Sequence, residues 1–279
     1  MQGKTVVITG ATAGIGEVAA LELARQGARI VFVARNPLKA DTMLARLSIA
    51  NESAKHAAYQ AELSRLSEMK RVAGEIAAKE GTIDVLINNA GAVFSKRETT
   101  PDGLEMTFAL NHLSYFVLTN LLLKQMKPGG RIVSTSSDAH RSAKLDFDDL
   151  QSQKSYGGFR VYSNSKLENI LFTRELARRI KATGVTANCL HPGFVATSFG
   201  DNNGGWMEFA FGIAKKVGAI SPDEGAKTIV YLASAPEVQG QSGGYYVKCA
   251  LTPPTAAAQN DADAKRLWEV SAKLAGVGT

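Results

Sequence analysis

The sequence predicts an α/β fold, a doubly wound parallel sheet with helices on both faces, formed as one domain over residues 1–279. Three observations predict it. The β-branched apolar run Thr5-Val6-Val7-Ile8 enters the turn Thr9-Gly10-Ala11-Thr12-Ala13-Gly14-Ile15-Gly16, a strand running into a glycine turn. Beyond it, Ile15, Val18, Ala19 and Leu23 recur at the spacing of one helix face. Strand-like and helix-like segments then alternate to the end of the chain, with no composition break, repeat or low-complexity linker between them.

Each element has its own warrant. Residues 28–34 (Ala-Arg-Ile-Val-Phe-Val-Ala) read as a second strand, and 37–50 as a helix with Pro37 in its first turn. A short strand at 56–61 precedes a helix over 64–79. Strands are predicted at 84–87 and 131–134, with one helix over 103–126 between them. A helix over 160–181, a strand at 185–190, a helix over 222–234 and a strand at 245–247 complete the alternation. The loop-like Thr252-Pro253-Pro254-Thr255 opens a C-terminal tail, 252–279, that ends in a helix.

Composition narrows the function. Hydrophobic residues at 45% and charged residues at 21% suit a soluble globular protein with a sizeable core. The net charge of +6 comes from scattered lysines and arginines, a solvated surface rather than a nucleic-acid face. The two cysteines, Cys189 and Cys249, make no disulfide framework and no C-x-x-C pair. Cys189 lies in an apolar stretch and is expected to be a buried free thiol, which suits a reducing cytoplasm. The chain opens straight into a strand, with no signal peptide and no apolar run near the roughly 20 residues that cross a bilayer. A soluble, cytoplasmic protein is expected.

In an open sheet of this kind, ligands sit beyond the carboxyl ends of the strands. Four polar clusters fall there: Arg35-Asn36, Asn88-Asn89-Ala90-Gly91, Ser136-Ser137 and His191-Pro192-Gly193. The glycine turn between strand and helix is a phosphate cradle, because its glycines let the backbone approach a pyrophosphate and the helix N–H groups point at the anion. An NAD site usually has an acid about 20 residues past that turn. Here the second strand ends Ala34-Arg35-Asn36, and arginine pairs with a 2′-phosphate that an acid would repel. NADP(H) is the expected cofactor.

Tyr162 and Lys166 open a predicted helix one turn apart on one face. A phenol with a pKa of about 10 is a poor acid–base group near neutrality. A nearby ammonium favours the phenolate, so the pair is expected to lower the tyrosine pKa and exchange a proton with a hydroxyl or carbonyl.

With these motifs in order, the chain resembles the short-chain dehydrogenase/reductase family over nearly its whole length. The T-G-x-x-x-G-x-G turn at Thr9 to Gly16, N-N-A-G at Asn88 to Gly91, the serine site in Ser134-Thr135-Ser136-Ser137, Y-x-x-x-K at Tyr162 and Lys166, and Pro192-Gly193 all match. Within the family it is most similar to the retinol dehydrogenase group. The likeness rests on Asn111-His112-Leu113, Asp149-Leu150-Gln151-Ser152, Phe172-Thr173-Arg174-Glu175-Leu176 and Arg266-Leu267-Trp268-Glu269. Ser137, rather than Ser136, matches that group's catalytic serine, and its separation from Tyr162 matches the group's.

The resemblance implies a Rossmann-type fold and an NADP(H)-dependent oxidoreductase interconverting carbonyl and alcohol. Tyr162 would be the proton donor or acceptor and Ser137 would hold the reacting oxygen. Lys166 would lower the tyrosine pKa and bind the nicotinamide ribose, and Asn111 would hold a water in the proton relay. Cofactor contacts fall on Gly10, Thr12, Ala13, Gly14, Ile15, Gly16, Arg35, Asn36, Glu62, Leu63, Asn89, Ala90, Gly91, Tyr162, Lys166, Pro192, Gly193, Val195 and Thr197. Glu62-Leu63 stands where relatives often have aspartate beside the adenine. Thr197 would meet the nicotinamide carboxamide.

Hydride transfer needs no metal, and His56, His112, His140 and His191 show no ligand spacing, so they are expected to be structural or surface residues. A homodimer is a further expectation of the resemblance. Residues 194–216, dense in aromatic and apolar side chains around Asp201-Asn202-Asn203-Gly204-Gly205, are expected to form a lid over bulky apolar substrates. Two other readings stay open. One is a non-catalytic NADP(H)-binding or sensing protein, which would need no proton donor. The other is a sugar-nucleotide epimerase or dehydratase on a related fold, for which the C-terminal end leaves little room.

Overall fold

A computed structural model describes residues 1–195 and 220–277. Its strands are β1 Thr5–Thr9, β2 Arg29–Ala34, β3 Ala57–Gln60, β4 Ile83–Asn88, β5 Met126–Thr135, β6 Thr186–His191, β7 Tyr245–Val247 and β8 Ala250–Leu251. The helices are α1 Gly14–Arg25, α2 Pro37–Ala50, α3 Leu66–Lys79, α4 Met106–Gln125, α5 Gly158–Arg179, α6 Pro222–Ser234 and α7 Asp261–Ala275. The sheet order is β3-β2-β1-β4-β5-β6-β7-β8, parallel throughout except for the antiparallel β7–β8 pair. This is a Rossmann-type α/β fold, and the strand order reverses between β1 and β4.

Alternation along the strands builds two cores. On β1, Val7 joins the apolar cluster that holds Met69 of α3, Phe116 of α4 and Phe172 of α5. Val6 and Ile8 join the cluster on the other face with Leu23 of α1, Met43 of α2 and Ile229 of α6. A parallel strand buried on both faces explains the continuous apolar runs in the sequence. The tail helix α7 completes the first core, with Trp268 edge-on to Phe116 and stacked on Phe172.

The structure departs from the expected elements at three places. The 103–126 helix begins at Met106, because Gly103 takes a left-handed φ of 77° and the Glu105 carboxylate caps Thr107 and Phe108. A π-helical stretch, Ala109–Leu113, interrupts α4. This helix is long and apolar enough to span a membrane, a run that the sequence reading missed, yet 72% of its apolar window is buried inside the fold.

β5 begins at Met126, ahead of the expected 131–134. The β4–β5 register shifts between the Ile83–Met126 and Val85–Arg131 pairs. Finally, β7 turns back into β8 through Lys248 and Cys249, both with positive φ. That hairpin geometry normally takes asparagine or glycine, so its sequence carried no turn signal.

Candidate active site

Gly10 (φ 71°) and Gly14 (φ 60°) hold the turn after β1 in left-handed conformations. Gly16 has a different reason to be glycine. A Cβ there would fall 2.2 Å from the Gly10 carbonyl oxygen and 2.4 Å from Asn89 Nδ2. The Thr9 hydroxyl accepts from the N–H groups of Asn89 (2.9 Å) and Ala90 (3.0 Å). Asn89 Nδ2 donates to the carbonyls of Thr9 (3.2 Å) and Gly10 (3.3 Å), and its Oδ1 accepts from Thr135 Oγ1 (3.2 Å). These bonds fasten the ends of β1, β4 and β5 to one another.

The strand ends open into a cavity of about 700 Å³. Gly10, Thr12, Ala13, Gly14, Ile15, Arg35, Glu62, Leu63, Asn89, Ala90, Gly91, Ser137, Tyr162, Lys166, Pro192, Gly193 and Val195 all line it. Gly16 lies behind the turn and Asn36 caps α2, its Oδ1 accepting from Lys39 N–H at 3.1 Å. Thr197 and residues 196–216 of the expected lid lie outside the described residues. A hollow of about 360 Å³ lies at the amino ends of the central strands, beside Lys4, Asp84 and Arg131, and none of these site residues lines it.

Ser136 and Ser137 part company at the end of β5. Ser136 is buried and donates to the Lys166 carbonyl at 2.7 Å, joining sheet to helix. The Ser137 hydroxyl accepts from Ala139 N–H at 3.2 Å, capping the short turn Asp138–Ser142, and bonds to the Tyr162 phenol. Lys166 is 3% exposed; its Nζ donates to the Thr135 carbonyl at 3.3 Å and lies 5.4 Å from the Tyr162 ring centre.

Electrostatics correct one expectation. Burial pushes the Tyr162 phenol up to about 12, and only the Ser137 hydrogen bond pulls it the other way. Burial also pulls the Lys166 ammonium down to about 8. Desolvation disfavours the charged form of each group. The phenol is therefore protonated at neutral pH.

Asn111 is fully buried in the π-helical stretch, and its side chain clamps neighbours. Its Oδ1 accepts from Ala92 N–H (2.9 Å), and its Nδ2 donates to the Ala92 carbonyl (2.8 Å) and to Ser165 Oγ (3.0 Å). Both amide hydrogens are taken, so the side chain positions the segment after β4. A Cβ on Gly91 would lie 3.1 Å from Asn111 Oδ1 and 3.6 Å from Lys166 Nζ, so this backbone packs directly on both.

At the far end of the cavity Arg35 is exposed and holds Glu62 only at 3.4 Å. Glu62 Oε1 accepts from the N–H (3.3 Å) and hydroxyl (3.1 Å) of Ser64. Cys189 is buried and free as expected, and burial pushes its thiol up to about 12. The sequence reading missed Phe94, Asp138 and Phe159 as cavity residues, and it put His191 in a cluster at the ligand end while giving its side chain only a structural or surface role. The signal for Asp138 was its place beside Ser137; for Phe159 it was the i, i+3 spacing to Tyr162.

The cradle fits a dinucleotide. Gly14 and Ile15 at the start of α1 line the cavity beside Gly10, and a helix N-terminus favours an anion. The cavity then runs past Arg35 at one end and Ser137, Tyr162 and Lys166 at the other.

Comparisons with known proteins agree with this geometry. The sequence pattern of the family described as short chain dehydrogenase matches residues 4–208. Human retinol dehydrogenase 14 is 39% identical over 294 residues, covering 99% of this chain and 88% of that protein. The crystal structure of an uncharacterized protein from Mycobacterium paratuberculosis superimposes with a TM-score of 0.80 at 31% identity, covering 99% of this chain and 94% of that one. A blue fluorescent protein from a metagenomic library, in complex with NADPH, gives a TM-score of 0.70 at 26% identity, covering 88% of this chain and 95% of that one.

Proposed function

Because the chain belongs to the short-chain dehydrogenase/reductase family and is most like its retinol dehydrogenase group, we propose that it is an NADP(H)-dependent oxidoreductase interconverting an apolar ketone or aldehyde with its alcohol. That it is a carbonyl/alcohol oxidoreductase follows from the family. The choice of cofactor, the class of substrate and the role of each residue are the proposal.

One observation carries it: Ser137, Tyr162 and Lys166 converge in the same cavity as the glycine cradle. A bound nicotinamide supplies or takes up the hydride. The chain supplies the proton and the orientation. Tyr162 is held protonated by burial, the form that donates to a carbonyl oxygen in reduction. Ser137 accepts from Ala139 N–H, which leaves its own O–H to donate. As the phenol loses its proton, the Lys166 ammonium stabilises the phenolate, and a buried setting strengthens that attraction. The lysine has three donors and gives one to Thr135, leaving others for ribose hydroxyls.

Arg35 supports NADP(H). It is mostly exposed, its bond to Glu62 is long, and exposed pairs of this kind are worth about 0–1 kcal/mol. A 2′-phosphate would outcompete it. The NADPH complex of the metagenomic relative supports the same choice. Phe94, Phe159, Phe194, Val93 and Leu110 line the cavity, which supports an apolar substrate. Phe159 and Phe194 are 51% and 44% exposed, large apolar surfaces that a bulky substrate would cover.

The test is a panel of aromatic and aliphatic carbonyls with NADPH, and of alcohols with NADP⁺, followed by nicotinamide absorbance. Turnover that rises with substrate hydrophobicity is the expected result. Turnover confined to small charged carbonyls, or equal with NADH, would overturn the finer reading.

A further inference from the structure

We infer that His140 and His191 are positioning residues for Ser137: two neutral imidazoles, locked in opposite tautomers, clamp the turn that carries it, and protonation of either one releases the clamp. The inference builds on the reading of Ser137 given above.

Ser137 follows β5 in an extended conformation, and the turn Asp138–Ser142 comes directly after it. His191, the last residue of β6, reaches across with Nδ1 and accepts from Asp138 N–H at 3.2 Å. A backbone N–H can only donate, so His191 Nδ1 is bare and Nε2 carries the proton. His140 lies inside the turn with Nδ1 2.8 Å from the Ser137 carbonyl oxygen. A carbonyl can only accept, so here Nδ1 carries the proton. Nε2 of His140 accepts from Thr255 N–H at 3.3 Å, so it is bare. The backbone partners alone fix both tautomers.

A second proton on either ring sets donor against donor. On His191 it would point at Asp138 N–H, and on His140 at Thr255 N–H. Each event removes one of the ties that hold the serine turn to β6 or to the segment after β8. Burial holds both imidazoles below the ordinary histidine value. The groups facing them are the Asp138 carboxylate, the Arg141 guanidinium, the Tyr245 phenol and each other.

Asp138 favours the charged rings and Arg141 opposes them. The Asp138 carboxylate is itself engaged, accepting from Tyr245 O–H (2.9 Å) and Arg141 Nε (3.2 Å). The contacts from α5 are uncharged: Ser163 Oγ accepts from Ser142 Oγ (3.2 Å) and Asn164 Oδ1 from Lys144 N–H (3.1 Å).

Nitrogen NMR of ¹⁵N-imidazole-labelled full chain tests the clamp directly at about pH 7.5. His140 is expected as the Nδ1–H tautomer and His191 as the Nε2–H tautomer. The same tautomer at both sites, or an imidazolium at either, would overturn the inference. Kinetics read the consequence. Between about pH 7.5 and about pH 5, wild-type kcat for an aromatic aldehyde should fall about tenfold while the Kd for NADPH holds within about twofold.

His191→Leu should lose about tenfold in kcat even at the higher pH, and His191→Asn, whose amide oxygen takes the place of Nδ1, should recover most of that loss. In His140→Asn/His191→Asn the acid decline should disappear. Wild-type kcat in His191→Leu, or an undiminished acid decline in the double Asn variant, would also overturn it. A wild-type protein that reduces no carbonyl would defeat the functional reading, and the tautomers would still decide the clamp.

Discussion

Replacing Gly16 with alanine perturbs the cofactor cradle at a point where the magnitude can be worked from distances. The added Cβ would fall 2.2 Å from the Gly10 oxygen and 2.4 Å from Asn89 Nδ2, where carbon contacts normally settle at about 3.5–4.0 Å. Neither neighbour yields freely. The Gly10 carbonyl belongs to a turn in a left-handed conformation, and Asn89 bridges Thr9, Gly10 and Thr135. Overpacking costs about 1–3 kcal/mol, and losing the two Asn89 amide bonds adds about 0.5–1.5 kcal/mol each.

The expected loss is thus about 2–6 kcal/mol. It divides between fold stability, read by urea denaturation, and cofactor affinity, read by NADPH fluorescence titration. Helix propensity alone works the other way and favours alanine by about 1 kcal/mol. The sign therefore decides between clash and propensity. A Gly16→Ala protein with unchanged denaturation midpoint and wild-type NADPH affinity would refute the cradle.

Three further outcomes are expected. Arg35→Asp should weaken NADPH binding about 10–100-fold, the worth of a charged hydrogen bond, and leave NADH binding intact; a titration with unchanged NADPH affinity removes Arg35 from the site. With Lys166 pulled down to about 8 by burial, kcat/KM for reduction should decline above pH 8, as the ammonium that stabilises the phenolate is lost; a flat profile to about pH 10 contradicts that role. His112, whose imidazole burial pulls down to about 3, is neutral in the fold, while the unfolded chain protonates near about 6.5. Because the unfolded state binds that proton first, stability drops as pH falls from about 6.5 toward 3, by about 2–3 kcal/mol between about pH 6.5 and about pH 4.5. His112→Phe should flatten that slope in urea titrations, and an identical slope would acquit His112.

The β1–turn–α1 unit was legible because its signals are local: a continuous run of valines and isoleucine, then glycines at fixed offsets. The same holds for Tyr162 and Lys166, four residues apart on one helix. What escaped was set by distant partners. The π-helical stretch in α4 is shaped by Asn111 reaching Ala92 and Ser165 and by His112 bonding Ser271 of α7 at 2.8 Å, so the sequence showed only one long apolar helix. The Lys248–Cys249 hairpin had no glycine or asparagine to announce it.

The sequence placed a lysine beside a phenol and so expected a lowered pKa, but the extent of burial, which raises it, is a property of the whole fold. His191 and Asp138 lie 53 residues apart in the chain, and nothing in their spacing tells that one residue's imidazole holds the other's backbone.

In the proposed reaction the nicotinamide's hydride goes directly to the carbonyl carbon while Tyr162 supplies the proton to its oxygen. The most direct measurement is reduction of an aromatic ketone with NADPH dideuterated at C4, with mass spectrometry of the product alcohol, for wild-type and Tyr162→Phe. Wild-type product should carry one deuterium on the carbinol carbon, and none there when unlabelled NADPH is used in D₂O, while Tyr162→Phe should lose most turnover with NADPH still bound. Product without carbon-bound deuterium, or Tyr162→Phe turning over like wild-type, would contradict it.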